Sequence, residues 1–371
     1  MKKNQLYSPI LSQKIKIVLV GCGRISKNHL KAISFNKDEA ELTGLCDNKP
    51  ENLKNTFSIL DDLSFDEKSL DVLKVFNQYE NLILAIKNQE IKVDLIVLAT
   101  PSGMHASQVK LAASVGVNVC TEKPMAIKYR EGKEMVEACK RANVRLFVVK
   151  QNRFNETLQL VKRQLDIGRF GKLSLVSVNV FWQRPQSYYD LDSWRGTWEF
   201  DGGALMNQAS HYVDLLSWMI GPLKTISAST STIGRDIEVE NNAAIQMTFT
   251  NGALGTMAVS MNTFPKNLEG SITILGERGS VKIGGTAVNN IEIWKFEDTN
   301  LDDLKVENAN YQTKSVYGNG HVAFYKNMIH SLKGIEEPIC DGSEGLKSLE
   351  ILEAAYKSSH LKKIINFPLE E

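Results

Sequence analysis

One charged motif, Glu122-Lys123-Pro124, directly follows a mostly apolar run that begins at Gly116. Buried parallel strands have such apolar runs, and open α/β sheets bind their ligands at the carboxyl ends of these strands. We therefore expect Lys123 to lie at the ligand-binding edge of a parallel sheet. A solvated lysine in a surface turn is the alternative for an isolated motif of this kind, and the surrounding pattern argues against it.

A second stretch, residues 201–214, contains Asn207, His211 and Asp214. If this stretch is helical, Asn207 and His211 are four residues apart on one face, and Asp214 lies near that face. Histidine ionises near neutral pH, so His211 could accept the proton of a hydroxyl while a hydride leaves the same carbon. A capping or core histidine is the alternative. The preceding pair Gly202-Gly203 and the upstream lysine motif favour the general base.

The amino-terminal region has the pattern of a dinucleotide-binding turn. The apolar run 15–20 precedes Gly21-Cys22-Gly23-Arg24-Ile25-Ser26, and a helical pattern follows from Lys27. Such glycines permit a tight turn and a close approach of the backbone to a pyrophosphate. The next apolar run ends at Asp47, whose carboxylate suits ribose hydroxyls and would repel a 2′-phosphate. This order predicts NAD as the cofactor, with a purely structural glycine turn as the alternative.

Polar residues also follow two other apolar runs in this half of the chain. Thr100, Ser102 and His105 follow the run 93–99, and we expect His105 to cap or pack rather than to catalyse. Lys150-Gln151-Asn152-Arg153-Phe154 follows the run 145–149. Alternating strands and helices of this kind predict a doubly wound parallel sheet, which we assign to residues 14–149.

The pattern changes in the second half of the chain. From Lys224 to Glu297 it indicates strands joined by tight turns, with hairpin signals at 250–252 and 277–279. We predict an α+β domain over 150–371 with a large, mostly antiparallel, open-faced sheet. One face would pack on helices, and the other is available to meet another subunit, so we expect a homodimer or homotetramer. The polar stretch 58–74 has no predicted function.

Length and composition limit the class of protein. A chain of 371 residues exceeds one ordinary hydrophobic core and predicts two domains. Its 44 basic and 43 acidic residues leave a net charge of +1, which predicts no nucleic-acid or membrane partner. The five scattered cysteines indicate reduced thiols in a cytoplasmic protein without a metal site. The short apolar run 15–20 enters a glycine turn, so we expect neither a signal peptide nor a transmembrane segment.

Together, Gly21-x-Gly23, Glu122-Lys123-Pro124 and the stretch 202–214 resemble the glucose-fructose oxidoreductase and inositol dehydrogenase family (Gfo/Idh/MocA) over essentially the whole chain. Within that family, the segments 150–154, 187–189, 194–198 and 207–214 are most similar to bacterial UDP-N-acetylglucosaminuronate 3-dehydrogenases. The resemblance implies NAD-dependent formation of a 3-keto nucleotide sugar for cell-surface polysaccharide biosynthesis. It also implies 2-oxoglutarate as a possible oxidant of the reduced cofactor.

The resemblance also implies roles for particular residues. Lys123 would orient the reacting hydroxyl and lower its pKa, and His211 would be the acid/base. Many relatives have aspartate where this chain has Asn207, and an amide cannot relay a proton, so a positioning role is left for this catalytic candidate. The implied cofactor contacts are Gly21, Gly23, Arg24, Ile25, Asp47, Thr100, Ser102, His105, Glu122, Lys123, Gln151, Trp194 and Arg195. The implied substrate contacts are Lys123, Asn152, Arg153, Tyr188, Arg195, Asn207 and His211.

Several functions stay open at this point. Oxidation of the 3-hydroxyl of UDP-N-acetylglucosaminuronate is favoured, because arginines such as Arg153 and Arg195 recognise carboxylates and phosphates bidentately. An ordinary ion pair is the alternative for each arginine. The alternative functions are a UDP-N-acetylglucosamine 3-dehydrogenase, a dehydrogenase of a free sugar or inositol, and a non-catalytic NAD-binding regulator.

Overall fold

The computed structural model describes residues 7–65, 70–313 and 316–369. Residues 66–69 of the predicted polar stretch lie outside these ranges. The chain forms two compact units, Met1–Val149 with His321–Leu346, and Lys150–Gly320 with Lys347–Glu371. The first unit thus includes a late segment that the predicted ranges 14–149 and 150–371 place in the second domain, because a helix in that segment packs on the parallel-sheet unit.

The first unit contains a six-stranded sheet whose described pairings are all parallel. Its strands are β1 (Ile15–Val20), β2 (Ala40–Cys46), β3 (Lys74–Phe76), β4 (Leu95–Leu98), β5 (Asn118–Thr121) and β6 (Leu146–Val148). The order across the sheet is β3-β2-β1-β4-β5-β6. The chain therefore reverses its direction of growth between β3 and β4, which makes the sheet doubly wound and confirms the predicted fold.

Helices connect these strands. They are α1 (Ser26–Phe35), α2 (Pro50–Asp62), α3 (Tyr79–Lys87), α4 (His105–Ser114) and α5 (Tyr129–Arg141). Every residue of β4 is buried, as expected for a central parallel strand with a continuous apolar run. The carboxyl ends of β1, β2, β4 and β5 therefore bring the glycine turn, Asp47, Thr100 and the Glu122-Lys123-Pro124 motif to one edge of the sheet.

The second unit contains an eight-stranded sheet. Its strands are β7 (Leu173–Phe181), β8 (Leu223–Ser231), β9 (Asn242–Phe249), β10 (Leu254–Ser260), β11 (Glu269–Gly276), β12 (Gly279–Gly284), β13 (Asn290–Phe296) and β14 (Ile365–Asn366). The order is β13-β12-β11-β7-β10-β9-β8-β14, and of the described pairings only β7 with β10 is parallel. Val176, Val178 and Val180 alternate with less buried residues along β7, so one face of this strand is apolar.

Two long helices of this part of the chain are α6 (Glu156–Asp166) and α7 (Ser210–Ile220), with one-turn helices at Gln186–Tyr189 and Val306–Ala309. Short 3₁₀ turns occur at Ser102–Met104, Gln151–Phe154 and Leu301–Lys305. The chain continues through α8 (His321–Leu332) and α9 (Gly342–Leu361). Within the first unit, α8 packs on α1, where Phe324 and Met328 are buried.

All five cysteines are free and buried. Burial raises the pKa of the Cys22, Cys46 and Cys139 thiols to about 12, so these groups stay protonated at neutral pH. Across residues 7–65, 70–313 and 316–369, no helix has both the length and the apolar character needed to cross a membrane. The same described residues contain no group of three or more side chains placed to hold a metal ion.

Candidate active site

The turn after β1 needs a glycine for two reasons. Gly21 has φ +92°, and a Cβ atom there would lie 2.6 Å from the carbonyl carbon of Ala99. Gly23 differs, because a Cβ atom at that position would meet nothing within 4 Å. The backbone at Gly23 is therefore uncovered, which is what the approach of a pyrophosphate requires. Arg24 is exposed and Ile25 is half-buried at the start of α1.

Asp47 joins the end of β2 to this glycine turn. Its Oδ2 atom accepts a hydrogen bond from the Cys22 backbone N–H at 2.7 Å, and its Oδ1 atom accepts one from Lys49 N–H at 2.8 Å. The Asn52 amide nitrogen lies 3.2 Å from each oxygen. A carboxylate has about four acceptor sites, and these three donors make four contacts with it, so a ribose hydroxyl bound by Asp47 would replace a contact of Asn52. The glycine turn and this carboxylate together fit the adenosine half of NAD.

His105 connects the loops that follow β4 and β5. Its Nδ1 atom lies 3.0 Å from the carbonyl oxygen of Pro124, and its Nε2 atom lies 3.0 Å from that of Thr100. The side chain is fully buried, and burial lowers its pKa. Both ring nitrogens face backbone carbonyls, so the implied direct contact of His105 with the cofactor is not supported, whereas the expected packing role is. Thr100 and Ser102 are half-buried in the same loop.

A series of buried polar contacts supports the Glu122-Lys123-Pro124 motif from the interior of the first unit. Oε2 of Glu122 accepts from the backbone N–H of Lys123 at 3.1 Å, and Oε1 lies 3.2 Å from Nε2 of His29. The other ring nitrogen of His29 lies 2.8 Å from the hydroxyl of Tyr325, and the His321 ring meets that of His29 edge-on at 5.8 Å. Burial by itself raises the pKa of Glu122, but His29 and Lys123 outweigh burial and hold this pKa at about 2.

These contacts fix Glu122 within the motif. The neighbouring Lys123 is half-buried. The sequence interpretation missed His29, His321 and Tyr325. The hydrogen bond between His29 and Tyr325 joins residues 296 positions apart, so no local pattern could pair them.

In the second unit, Arg153 forms a buried ion pair with Asp214. Its Nε atom donates to Oδ2 at 2.8 Å, and its Nη2 atom donates to Oδ1 at 2.7 Å. Lys150 adds its ammonium 3.4 Å from Oδ1 of Asp214 and donates to Ser348 Oγ at 2.6 Å. Burial by itself raises the pKa of Asp214, but the charges of Lys150 and Arg153 lower it by more, so the net shift of this pKa is downward.

Arg153 is only 1% exposed, and two of its guanidinium nitrogens are bound to Asp214. The predicted contact of Arg153 with substrate is therefore not supported. The ion-pair alternative describes this residue, although the pair lies in the interior and not on the surface. Asp214 is likewise held by two cations, Lys150 and Arg153.

His211 lies in the first turn of α7, and the predicted helical register of Asn207 is wrong. The helix begins at Ser210, and Asn207 lies in the preceding turn, residues 204–208. Gly202 has φ +70°, a conformation that interrupts a right-handed helix, so the chain cannot continue helically through it. Nε2 of His211 lies 3.5 Å from the side-chain nitrogen of Gln151, which can donate to the neutral ring.

Residues 201–209 are held by two buried acids. Asp201 accepts from the backbone N–H of Gly196 at 2.8 Å and from the side-chain amide of Asn207. Glu240 accepts from the backbone N–H of Leu205 at 2.8 Å and from the hydroxyl of Tyr356 at 2.9 Å. Asp201 thereby fixes the side chain of Asn207. The sequence interpretation gave no role to Asp201, although the stretch 201–214 begins with it, and Glu240 lies in no recognisable motif.

Two amide oxygens near the start of the second unit are buried without a partner. Oε1 of Gln151 and Oδ1 of Asn152 have no hydrogen bond within the described part of the chain. Such groups are rare in folded proteins and call for a bound water or ligand. The 3₁₀ turn Gln151–Phe154 thus holds acceptors that a sugar hydroxyl could satisfy.

Tyr188, Trp194 and Arg195 form a cation-aromatic cluster. The Arg195 guanidinium carbon lies 4.5 Å from the ring centre of Trp194 and 4.8 Å from that of Tyr188. Nη1 of Arg195 donates to the Tyr188 hydroxyl at 3.0 Å, and Nε donates to Asp192 at 3.2 Å. The sequence interpretation missed Arg184, whose guanidinium carbon lies 5.1 Å from the centre of the same Tyr188 ring. Two guanidinium groups therefore share one aromatic ring.

The parallel sheet, the glycine turn and the acid after β2 define the first unit as a dinucleotide-binding Rossmann unit. A model of an oxidoreductase family's NAD-binding Rossmann fold matches residues 15–150, and a model of its C-terminal alpha/beta domain matches residues 162–367. The chain therefore belongs to the Gfo/Idh/MocA oxidoreductase family, as predicted, and its cofactor is NAD.

Two solved structures resemble the whole chain. The WlbA dehydrogenase from Bordetella pertussis, in complex with NADH and UDP-GlcNAcA, is 49% identical, covers 98% of this chain and 100% of its own, and has a TM-score of 0.90. The WlbA dehydrogenase from Chromobacterium violaceum, in the same kind of complex, is 46% identical, covers 98% and 99%, and has a TM-score of 0.88. A D-apiose dehydrogenase from Paraburkholderia graminis is 25% identical over 94% of this chain and 88% of its own length.

Proposed function

We propose that this protein is an NAD-dependent dehydrogenase that oxidises the 3-hydroxyl of UDP-N-acetylglucosaminuronate to a ketone. The main support is the 49% identity over 98% of the chain to a dehydrogenase bound to NADH and UDP-GlcNAcA. The site residues add chemical support: a histidine that can act as base, a lysine at the cofactor edge of the sheet, and an arginine stacked on aromatic rings.

In this proposal, His211 accepts the proton of the 3-hydroxyl, and Lys123 donates a hydrogen bond that orients the oxygen and favours its deprotonation. When bound, NAD accepts the hydride from the same carbon. Gln151 would hold the neutral ring of His211 by donating to Nε2 from 3.5 Å, until a substrate hydroxyl takes that place. Asn207, fixed by Asp201, would position the sugar without transferring a proton.

We assign the sugar carboxylate to Arg195. A carboxylate needs a planar pair of donors, and the ring stacking on Trp194 and Tyr188 holds the Arg195 guanidinium in one orientation. Asn152 would accept a hydrogen bond from the sugar through its unpartnered Oδ1 atom. Arg153 takes no part in this assignment, because it is 1% exposed and paired bidentately with the buried Asp214. Asp192 and Tyr188 take Nε and Nη1 of Arg195, which leaves its Nη2 atom and the second hydrogen of Nη1 as donors for a carboxylate.

We further propose that the product is an intermediate for a cell-surface polysaccharide sugar and that 2-oxoglutarate can reoxidise the cofactor. A homodimer or homotetramer remains our expectation, based on the sheet of the second unit. The proposed roles of the site residues do not depend on the pathway or on the assembly. A UDP-N-acetylglucosamine 3-dehydrogenase is the alternative function, and it requires no carboxylate contact.

The test is a comparison of UDP-N-acetylglucosaminuronate with UDP-N-acetylglucosamine, each with added NAD and with or without 2-oxoglutarate. We expect the 3-keto product, detected by mass spectrometry, from the uronate. Conversion of the neutral sugar nucleotide alone would assign the alternative function. If inositol or a free hexose is oxidised and neither nucleotide sugar is, the nucleotide-sugar proposal is wrong.

A further inference from the structure

We propose that Glu240 is a positioning residue that holds the segment 202–209, and thereby fixes Asn207 and the start of α7 at His211. The inference rests on the proposed function, because it assumes that Asn207 and His211 act on the substrate. Glu240 lies 33 positions after Asn207 in the sequence and belongs to no motif that predicted the site.

The contacts of Glu240 reach three consecutive residues of this segment. Its carbonyl oxygen accepts from Ala204 N–H at 3.0 Å, and its Oε1 atom accepts from Leu205 N–H at 2.8 Å. The same Oε1 accepts from the hydroxyl of Tyr356 at 2.9 Å, and that hydroxyl oxygen accepts from Met206 N–H at 3.3 Å. The carboxylate of Glu240 and the hydroxyl of the half-buried Tyr356 thus hold Leu205 and Met206, and the main-chain carbonyl of Glu240 holds Ala204.

Gly203 makes this arrangement possible. A Cβ atom at Gly203 would coincide with the carboxylate of Glu240. Gly203 is absent from the residues with positive φ, so it is required here for space and not for conformation. The second glycine of the Gly202-Gly203 pair therefore allows a carboxylate to pack directly against the backbone that carries Asn207 four residues later.

The buried environment of Glu240 makes glutamine the conservative substitution to compare with alanine. Its side chain is 4% exposed, and Oε2 has no hydrogen-bond partner within residues 7–65, 70–313 and 316–369. Burial raises the pKa of Glu240 to about 7, and the nearby carboxylate of Asp201 adds to the rise. Asp201 and Tyr356 are the titratable side chains that act on it most directly. Glutamine keeps the Oε1 acceptor and the volume, so it preserves the contacts that alanine removes.

The experiment measures kcat and KM for the nucleotide sugar and the Kd for NADH. Glu240→Ala should lower kcat roughly ten- to hundredfold, as expected when catalytic groups are misplaced by about an ångström. Glu240→Gln should retain a clearly larger kcat than Glu240→Ala. The Kd for NADH should stay unchanged in both, because Glu240 contacts Ala204, Leu205 and Tyr356, none of which is an implied cofactor contact. Glu199→Ala, at an exposed position of that unit, is the control.

A double substitution tests the contact itself. Gly203→Ala should lower kcat as strongly as Glu240→Ala, and Gly203→Ala/Glu240→Ala should be more active than the product of the two single effects predicts, because the clash is gone. If the Gly203 and Glu240 variants fold poorly, Tyr356→Phe is a milder change that tests the same contact. It should lower kcat without changing KM. Wild-type kcat in both Glu240→Ala and Tyr356→Phe would overturn the inference.

The proposed function and this inference fail in different ways. If the unmodified protein oxidises neither nucleotide sugar, the proposed function is wrong. If the unmodified protein is active and the Gly203 and Glu240 effects multiply independently, the function stands and the positioning role is wrong.

Discussion

Nε2 of His29 lies 3.2 Å from Oε1 of Glu122, and both side chains are buried in the parallel-sheet unit. The other carboxylate oxygen accepts from the backbone of Lys123. A buried imidazole on one side and a backbone N–H on the other therefore hold the residue that precedes the proposed catalytic lysine. This pair shows that the motif at the end of β5 is fixed by the interior of the unit and not by the loop alone.

This pair predicts a pH-dependent loss of stability. The pKa of Glu122 is about 2 in the folded protein against an ordinary value of 4.5. Its contribution is complete above pH 4.5 and is lost as the pH falls towards 2, and a shift of this size corresponds to roughly 3 kcal/mol. Glu122→Gln should therefore destabilise the protein at neutral pH, and the difference from the unmodified protein should shrink on acidification.

Urea unfolding at a series of pH values measures this difference. Glu137→Gln, at an exposed position of the same unit, should show no comparable trend and serves as the control. A constant difference between Glu122→Gln and the unmodified protein from neutral to acidic pH would contradict the assigned charge.

The cofactor preference follows from Asp47. Because its carboxylate faces the glycine turn, we expect NAD to bind at least tenfold more tightly than NADP, a difference of about 1.4 kcal/mol. Asp47→Ser should reduce that ratio, mainly by weakening NAD. Calorimetric titration with each cofactor measures both constants, and Asp38→Ser, at an exposed acid of the same unit, is the control. Equal affinities in the unmodified protein would rule out this role for Asp47.

The chemical step is expected to depend on Lys123 and His211. Lys123→Ala and His211→Asn should each lower turnover by roughly a hundredfold or more, because each removes a proton-transfer or orienting group. The Kd for NAD should be nearly intact in both variants. Single-turnover kinetics and cofactor titration separate the two effects. If either variant turns over at the unmodified rate, the reacting groups lie elsewhere.

Substitution of Arg195 is expected to weaken substrate binding, whereas substitution of Arg153 is expected to destabilise the fold. Arg195→Gln should weaken binding of UDP-N-acetylglucosaminuronate by about 2–5 kcal/mol and affect UDP-N-acetylglucosamine less, because only the former carries a carboxylate. Arg153→Gln should instead lower the free energy of unfolding by at most about 3–5 kcal/mol, because Asp214 loses one of its two buried cations and keeps Lys150. Substrate titrations and thermal unfolding of both variants make the comparison. A stable Arg153→Gln protein with a defect only for the uronate would restore the original assignment to Arg153.

The sequence predicted those parts of the site that are contiguous in the chain. The glycine turn, the acid after β2 and the motif after β5 each follow a strand whose apolar run is readable locally, so their common edge could be foreseen. The roles of these residues in catalysis and binding stay predictions.

The parts that could not be foreseen depend on distant partners. The pairing of Arg153 with Asp214 joins residues 61 positions apart, and charge spacing alone could not distinguish it from a substrate contact. Asn207 lies outside α7, in the turn 204–208, and Glu240 and Tyr356 hold the backbone of this turn from distant parts of the chain. Glu240 and Tyr356 lie 116 positions apart and meet only in the folded unit.

The cysteines have a practical consequence. Cys22, Cys46, Cys120, Cys139 and Cys340 all belong to the parallel-sheet unit, and the second unit contains none. Since all five are buried as free thiols, an alkylating reagent can reach them only when that unit opens. The rate of thiol labelling would therefore report the opening of the NAD-binding unit, and opening within the second unit would not expose a thiol to the same reagent.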